Sequence, residues 1–206
     1  MLLVLSSAVI LLQMVIGAAL WEQLPERIAT HFDFHNQPNG YSSKAFTVFG
    51  MPLVLLALHW ICLLGGGMTD TKMYSHKLRR LFLVFIPAIS LLMTVLCYGY
   101  ALGIPLNVGR VVMPFLGVIL MVTGNYMPKI RRNPTTGLKL PWTLADDENW
   151  YRTHRFAAPV WMLCGLALIV LAVIGYTSWP AMGVIIAAIL LPTAYSFALY
   201  LKKKHS

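Results

Sequence analysis

The chain has 206 residues, of which 58% are hydrophobic and only 11% charged. So few charges exclude both an ordinary water-soluble surface and a disordered chain, since neither could keep that much apolar surface from water. Sixteen Lys and Arg against seven Asp and Glu give a net charge of +9, but the cations lie in short gaps between apolar runs, which is a pattern of membrane topology rather than of nucleic-acid binding.

Six stretches, 2–21, 46–68, 81–103, 111–128, 156–178 and 179–201, have about the 20 apolar residues needed to cross a hydrocarbon layer as a helix. Lipid offers no partner to an open sheet edge, so the predicted fold is all-α, a polytopic membrane protein with six transmembrane helices. Thirteen Lys and Arg fall on one set of alternate gaps and three on the other. The richer set holds Lys72, Lys77, Arg79, Arg80, the six cations of the fourth gap, and Lys202, Lys203 and Lys204 of the tail. The charge rule then puts both termini in the cytoplasm, the first gap outside and the fourth inside. The first segment has no basic region before Leu2 and is a full span in length, so it is expected to remain uncleaved.

The first gap, from Glu22 to Lys44, is too long and too specific to be a minimal connector. Pro25 is placed to start a short helix with Glu26 in its first turn, and Pro38, Asn39 and Gly40 signal a turn before the second span. His31, Asp33 and His35 are weak metal candidates. The two imidazoles would share a helix face if that helix continued, but polar contacts that fix the loop are the commoner use of such residues.

Within the second span stands His59, an ionisable group in lipid and therefore a functional candidate by default, although a hydrogen bond to a neighbouring helix is the reading favoured. Cys62, Cys97 and Cys164 all fall inside spans at no metal-ligand spacing and are expected to pack. Pro52, Pro87, Pro114 and Pro192 lie in or near spans, where they kink helices.

The fourth gap is the longest. Thr143 is suited to cap a helix with Asp146, Asp147 and Glu148 in its first turn, and on that helix Glu148 can pair with Arg152 four residues on. Trp142, Trp150 and Tyr151 would suit a helix lying at the headgroup level, with Arg152 and Arg155 near lipid phosphates. Asp147 and His154 could form a base and its orienter, but no recognised nucleophile accompanies them, so no catalytic residue is assigned.

Together the two loops resemble the SdpI family of bacterial membrane proteins. The resemblance rests on Gly124-Asn125-Tyr126-Met127-Pro128-Lys129, Asn133, Gly137, Leu140-Pro141-Trp142-Thr143-Leu144, Glu148-Asn149-Trp150 and Thr153-His154-Arg155. Where the family often has Gly-Ile-Arg, this chain has Gly137-Leu138-Lys139, which keeps the cation without its bidentate guanidinium. The amino-terminal part is similar to the domain of unknown function that often precedes this region, through Leu24-Pro25, Thr30-His31-Phe32, Pro38-Asn39-Gly40 and Ser43-Lys44.

The resemblance implies two parts, 1–70 and 71–206, the second with a cytoplasmic loop at 129–155. It implies residence in the bacterial cytoplasmic membrane and immunity to a secreted peptide toxin that arrives from outside. It further implies signalling through a cytoplasmic transcriptional repressor, with no cofactor and no direct contact with nucleic acid. On this reading Pro25, Thr30, His31, Phe32, Asp33, His35, Gly40 and Lys44 form the toxin-side loop. The cytoplasmic motif is Asn125, Pro128, Lys129, Asn133, Gly137, Pro141, Trp142, Thr143, Glu148, Trp150, His154 and Arg155. A transporter of a solute, ion or proton that depends on His59 is the second class, and a membrane-embedded metal-dependent enzyme the third.

Overall fold

A computed structural model describes residues 2–33, 35–65, 76–134 and 136–204, without the side chains of 65, 76–80 and 82. Lys72 and the 66–68 end of the second predicted span lie outside the described residues, as do the side chains of Lys77, Arg79 and Arg80. Six helices among them are long and apolar enough to cross a membrane, Leu2–Ala19, Phe46–Leu64, Leu83–Ala101, Val108–Lys129, Asp147–Ile174 and Trp179–Lys204, so this is a multi-pass membrane protein. The chain divides into two compact units, Met1–Val108 and Gly109–Ser206.

In the first unit, helix α1 (Leu2–Ala19) is mostly apolar and carries no charged residue, as a helix that crosses lipid requires. Its buried residues Ser6, Ile10, Gln13 and Gly17 recur every three or four positions and so form one face. That helix packs on α2 (Met51–Gly65) and on α3 (His76–Ala101). A Cβ on Gly17 would run into Val48 and the Tyr98 hydroxyl, which itself donates to the Gln13 carbonyl at 3.2 Å. Glycine is thus what lets the chains approach here.

Between α1 and α2 the sequence expectation of a helix from Pro25 is overturned. Residues Arg27–Phe32 form strand β1 and Pro38–Ser43 strand β2, an antiparallel hairpin. Ile28, Thr30 and Phe32 are β-branched or aromatic and favour a strand. The turn lies earlier than Pro38-Asn39-Gly40, because the Asp33 side chain accepts the amides of His35 and Gln37, both at 2.8 Å, and Asn36 takes the left-handed conformation at φ 62°. The all-helical expectation therefore holds for the spans and fails for this loop. The hairpin does not violate the lipid rule, because it lies between the spans rather than within one.

Helix α4 (Val108–Tyr126), whose first residue belongs to the first unit and the rest to the second, leads through a single turn, Met127–Lys129, to the loop that carries the short α5 (Pro141–Ala145). Then follow α6 (Asp147–Ile174) and α7 (Trp179–Lys204), joined at Gly175 with φ 89°. The expected loop helix and the fifth span are one continuous helix, so a helix lying flat at the headgroups is excluded for Trp150. Its cap is Asp146, whose carboxylate accepts the Glu148 amide at 3.0 Å, and not Thr143, which lies inside α5.

Proline and glycine set the packing of this unit. Gly117 on α4 and Gly165 on α6 sit so close that a Cβ on either would meet the other's carbonyl. Pro192 on α7 has no N–H to give the Ala188 carbonyl, and the Trp161 indole on α6 supplies one instead at 2.8 Å.

Candidate functional site

Among the described residues, each unit carries a structured polar segment between its apolar spans. In the first unit it is the hairpin, held at three points. At its base Lys44 is buried, pairs with Glu26 at 2.8 Å, donates to the Trp21 carbonyl at 3.3 Å and lies over the Trp21 ring. Burying an ammonium is tolerable only with such partners. Along its length Ile28 joins Leu24, Val48, Cys97 and Tyr98 in one core, and Phe32 meets the edge of Tyr100. At its tip Asn36 donates to the Leu106 carbonyl at 3.1 Å and accepts the Val108 amide at 2.6 Å. A crevice of about 600 Å3 opens beside that tip, lined by Asn36, Gln37, Tyr100, Pro105 and Leu106 among others.

The named toxin-side residues share this hairpin without converging on a point. Pro25 is exposed just before β1, and Thr30 Oγ1 lies 3.4 Å from Ser42 Oγ. His31 Nδ1 meets the Asn39 carboxamide oxygen at 2.5 Å, and Gly40 faces it across the ladder because a Cβ there would strike the His31 side chain. His35 is exposed in the turn. A strand places His31 apart from any helical partnership with His35, and Asp33 spends an oxygen on its own turn. Among the described residues no group of three His, Cys, Asp or Glu is placed to hold a metal. The Gln37 amide foremost, then the His35 amide, holds the Asp33 carboxyl below the usual carboxylate range.

In the second unit the loop 130–145 is clamped onto the start of α6. The Trp150 indole donates to the Ile130 carbonyl at 2.9 Å. His154 Nδ1 pairs with the Trp150 carbonyl at 2.8 Å and Nε2 accepts the Leu138 amide at 3.1 Å, which assigns the Nδ1–H tautomer. The two rings stack with centroids 4.1 Å apart. Gly137, at φ 112°, lies against both, and a side chain there would collide with them. Thr143 accepts the Leu140 amide at 2.9 Å and donates to the Leu138 carbonyl at 2.7 Å. Asn133 closes its own turn, accepting the Thr136 amide at 2.7 Å and donating to the Arg131 carbonyl at the same distance.

Several motif residues tie the loop to α7. Trp142 donates to Ser196 Oγ at 2.9 Å and packs on Phe197 and Tyr200. Asn149, buried, donates to the Ser196 carbonyl at 3.0 Å and accepts from Thr153 at 2.9 Å. Lys203 reaches the capping Asp146 at 3.0 Å, which is the main reason that this carboxyl is held below its ordinary range. Sequence reading missed Arg132, which binds Asp147 at 2.7 Å and the Leu144 carbonyl at 2.8 Å. The signal was an arginine in the basic cluster facing an acidic helix start. Asp147 thus partners Arg132 and does not orient His154. With both imidazole nitrogens taken by backbone, the geometry makes His154 a fastener.

The remaining motif residues are peripheral. Asn125 is exposed at the end of α4 and Pro128 in the turn that follows it, Lys129 lies over the Tyr126 ring, and Pro141 opens α5. Glu148 pairs with Arg152 at 3.1 Å as expected from their spacing, and Arg155 donates to the Tyr151 hydroxyl at 2.7 Å. His59 is fully buried with Nε2 at 2.9 Å from Ser6 Oγ on α1.

Comparison with known proteins bears out the resemblance seen in the sequence. Residues 129–196 match the SdpI/YfhL protein family and residues 8–56 a domain of unknown function, DUF1648. The first range contains the clamped loop and the second the hairpin. The chain is 29% identical over 173 residues to the immunity protein SdpI of Bacillus subtilis (strain 168), a match that covers 82% of this chain and 80% of the relative. No solved structure matches it.

Proposed function

We propose that this chain, an SdpI/YfhL-type membrane protein with a DUF1648 region at its amino-terminal end, is an immunity protein that protects a bacterium from a secreted peptide toxin. The observation that carries the reading is the match to the Bacillus subtilis immunity protein along four fifths of both chains. The architecture supports it. Each matched region holds a polar structure fixed by side chain to backbone hydrogen bonds, as a recognition surface requires, and His154, the best candidate base, has no free ring nitrogen.

Orientation follows from charge. With thirteen cations on one set of gaps and three on the other, the clamped loop and both termini face the cytoplasm of the bacterial cell membrane and the hairpin faces outward. The hairpin therefore meets the toxin, while the inner loop, rich in cations and aromatics, meets anionic lipid or a cytoplasmic protein such as a transcriptional repressor. For the toxin to recruit that partner it must bind one arrangement of the protein more tightly than another.

The test is survival. Bacillus subtilis cells without their own immunity protein, expressing this chain, are challenged with the peptide toxin that their immunity protein resists. Protection is expected. Killing at the same toxin concentration as in cells without the chain, despite full-length protein in the membrane, would sink the reading.

A further inference from the structure

The hairpin is the sole sheet among the described residues, and it has just two strands. β1 packs along α3 and buries Ile28 and Ala29, whereas β2 has no buried residue and alternates between half-buried and exposed. β2 is thus the outward strand, and its far edge has no neighbouring strand.

The register says which backbone groups that edge presents. The Lys44 amide donates to the Glu26 carbonyl at 2.9 Å, and the pairs Arg27 with Ser43, Ile28 with Ser42 and Ala29 with Tyr41 continue the same ladder. In an antiparallel pair, hydrogen-bonded and non-hydrogen-bonded positions alternate. Lys44 and Ser42 therefore turn their N–H and C=O toward β1, while Ser43 and Tyr41 turn theirs away. The Ser43 carbonyl already accepts from the Thr47 hydroxyl at 3.1 Å. The N–H and C=O of Tyr41 remain as a donor and acceptor pair facing out.

Proteins usually guard such an edge with charge, an interior proline, a β-bulge or a covering element. The register irregularities of this hairpin lie on the tip side of the Ala29–Tyr41 pair and leave the ladder from Lys44 to Tyr41 regular. β2 carries no charged residue, its proline stands at the first position, and Tyr41 is flanked by Gly40 and Ser42, which leave the backbone open to approach. Meanwhile Asn36 pins the tip and Lys44 the base, so the edge is held ready before any ligand arrives.

We propose that this edge is where the peptide ligand docks: an extended segment of the toxin adds as a third strand to β2 and exchanges its backbone hydrogen bonds with Tyr41. This names a binding mode for the function proposed above and rests on it. Strand addition recognises backbone, so it suits a peptide rather than a small solute or a lipid headgroup. The competing occupant of such an edge is β2 of a second copy.

The test uses the full chain in cells, as the parent, Tyr41→Val and Tyr41→Pro, matched for membrane abundance. Valine removes the ring and keeps the N–H. Proline removes the outward N–H at a position that donates nothing to β1, which is where a strand tolerates it. Tyr41→Val is expected to protect within about threefold of the parent toxin tolerance, and Tyr41→Pro to lose at least about tenfold. A second measurement needs no variant. In the purified parent chain in lipid nanodiscs, the Tyr41 amide should exchange its hydrogen at least about tenfold more slowly once the same toxin is added.

Protection by Tyr41→Pro equal to that of Tyr41→Val, or a Tyr41 amide unmoved by toxin, would overturn strand addition and leave immunity standing. Crosslinking of Tyr41 positions between copies without toxin would assign the edge to a dimer and overturn it likewise. Absence of protection by the parent would overturn both.

Discussion

The backbone amide of Leu138 is held by the side chain of His154, with Nε2 as acceptor at 3.1 Å, and the Leu138 carbonyl is held by Thr143 at 2.7 Å. One residue in the middle of a polar loop is thus fixed through both its N–H and its C=O. Replacing His154 by Ala removes the acceptor and the stack on Trp150 together, leaving the half-buried Leu138 amide without this partner at a cost of about 1 kcal/mol. The variant is expected to insert normally yet to be cleaved by trypsin at Arg131 or Lys139 in inverted vesicles faster than the parent. Equal cleavage would mean that the loop is held by other contacts.

Gly137 has a sharper constraint. Its φ of 112° is disfavoured for any side chain, and a Cβ would enter the space of Trp150 and His154. Gly137→Ala is expected to destabilise the second unit by at least about 1–3 kcal/mol, read as a lower midpoint in denaturant titration of the protein in detergent. An unchanged midpoint would show that the rings can move aside freely.

The hairpin tip can be tested through Asn36. Asn36→Gly keeps the left-handed backbone and loses the bonds to Leu106 and Val108, whereas Asn36→Ala also strains the backbone. Amide exchange in the strands should quicken in Gly and quicken further in Ala. The reverse order would contradict the role given to φ.

Acid should loosen the same turn. The folded carboxyl of Asp33 is depressed, chiefly by the Gln37 amide, so its stabilisation is complete above the unfolded value of about 3.9 and is lost as pH falls through the lower folded value. Turn amide exchange, corrected for intrinsic rates, is expected to be flat above pH 5 and to accelerate below about pH 4. Asp33→Asn should abolish that acceleration.

Trp161 and Pro192 should be coupled. Trp161→Phe leaves the Ala188 carbonyl without a donor and is expected to cost about 1 kcal/mol. In a Pro192→Ala background the helix regains an N–H for that carbonyl, and the cost should shrink. Additive effects in a double-mutant cycle would deny the exchange of donors.

Much of the architecture was legible in the sequence because lipid is an unforgiving solvent. Six apolar runs free of charge have few alternatives to spanning helices. Among the described residues they form them within a few residues of the expected ends, apart from α6 and from the 66–68 end of the second run, which lies outside the described residues. The polar parts were less legible because short-range signals compete. Pro25 and Glu26 suit a helix start, but Asp33 can build a turn from its own side chain, and that turn folds Arg27–Phe32 back against Pro38–Ser43. Asp146 and Thr143 are both good caps, but the Thr143 hydroxyl is spent on Leu138 and Leu140 around α5, while Asp146 accepts the Glu148 amide and is held by Lys203. The Asp147 partnership with Arg132 and the Trp161 bond to Ala188 span 15 and 27 positions, distances that no local pattern encodes.

The most direct measurement of the central claim is binding of labelled peptide toxin to the purified full chain in lipid nanodiscs, with empty nanodiscs as the reference. Saturable binding that unlabelled toxin displaces is expected. Binding no greater than to empty nanodiscs would contradict recognition of the toxin by this protein.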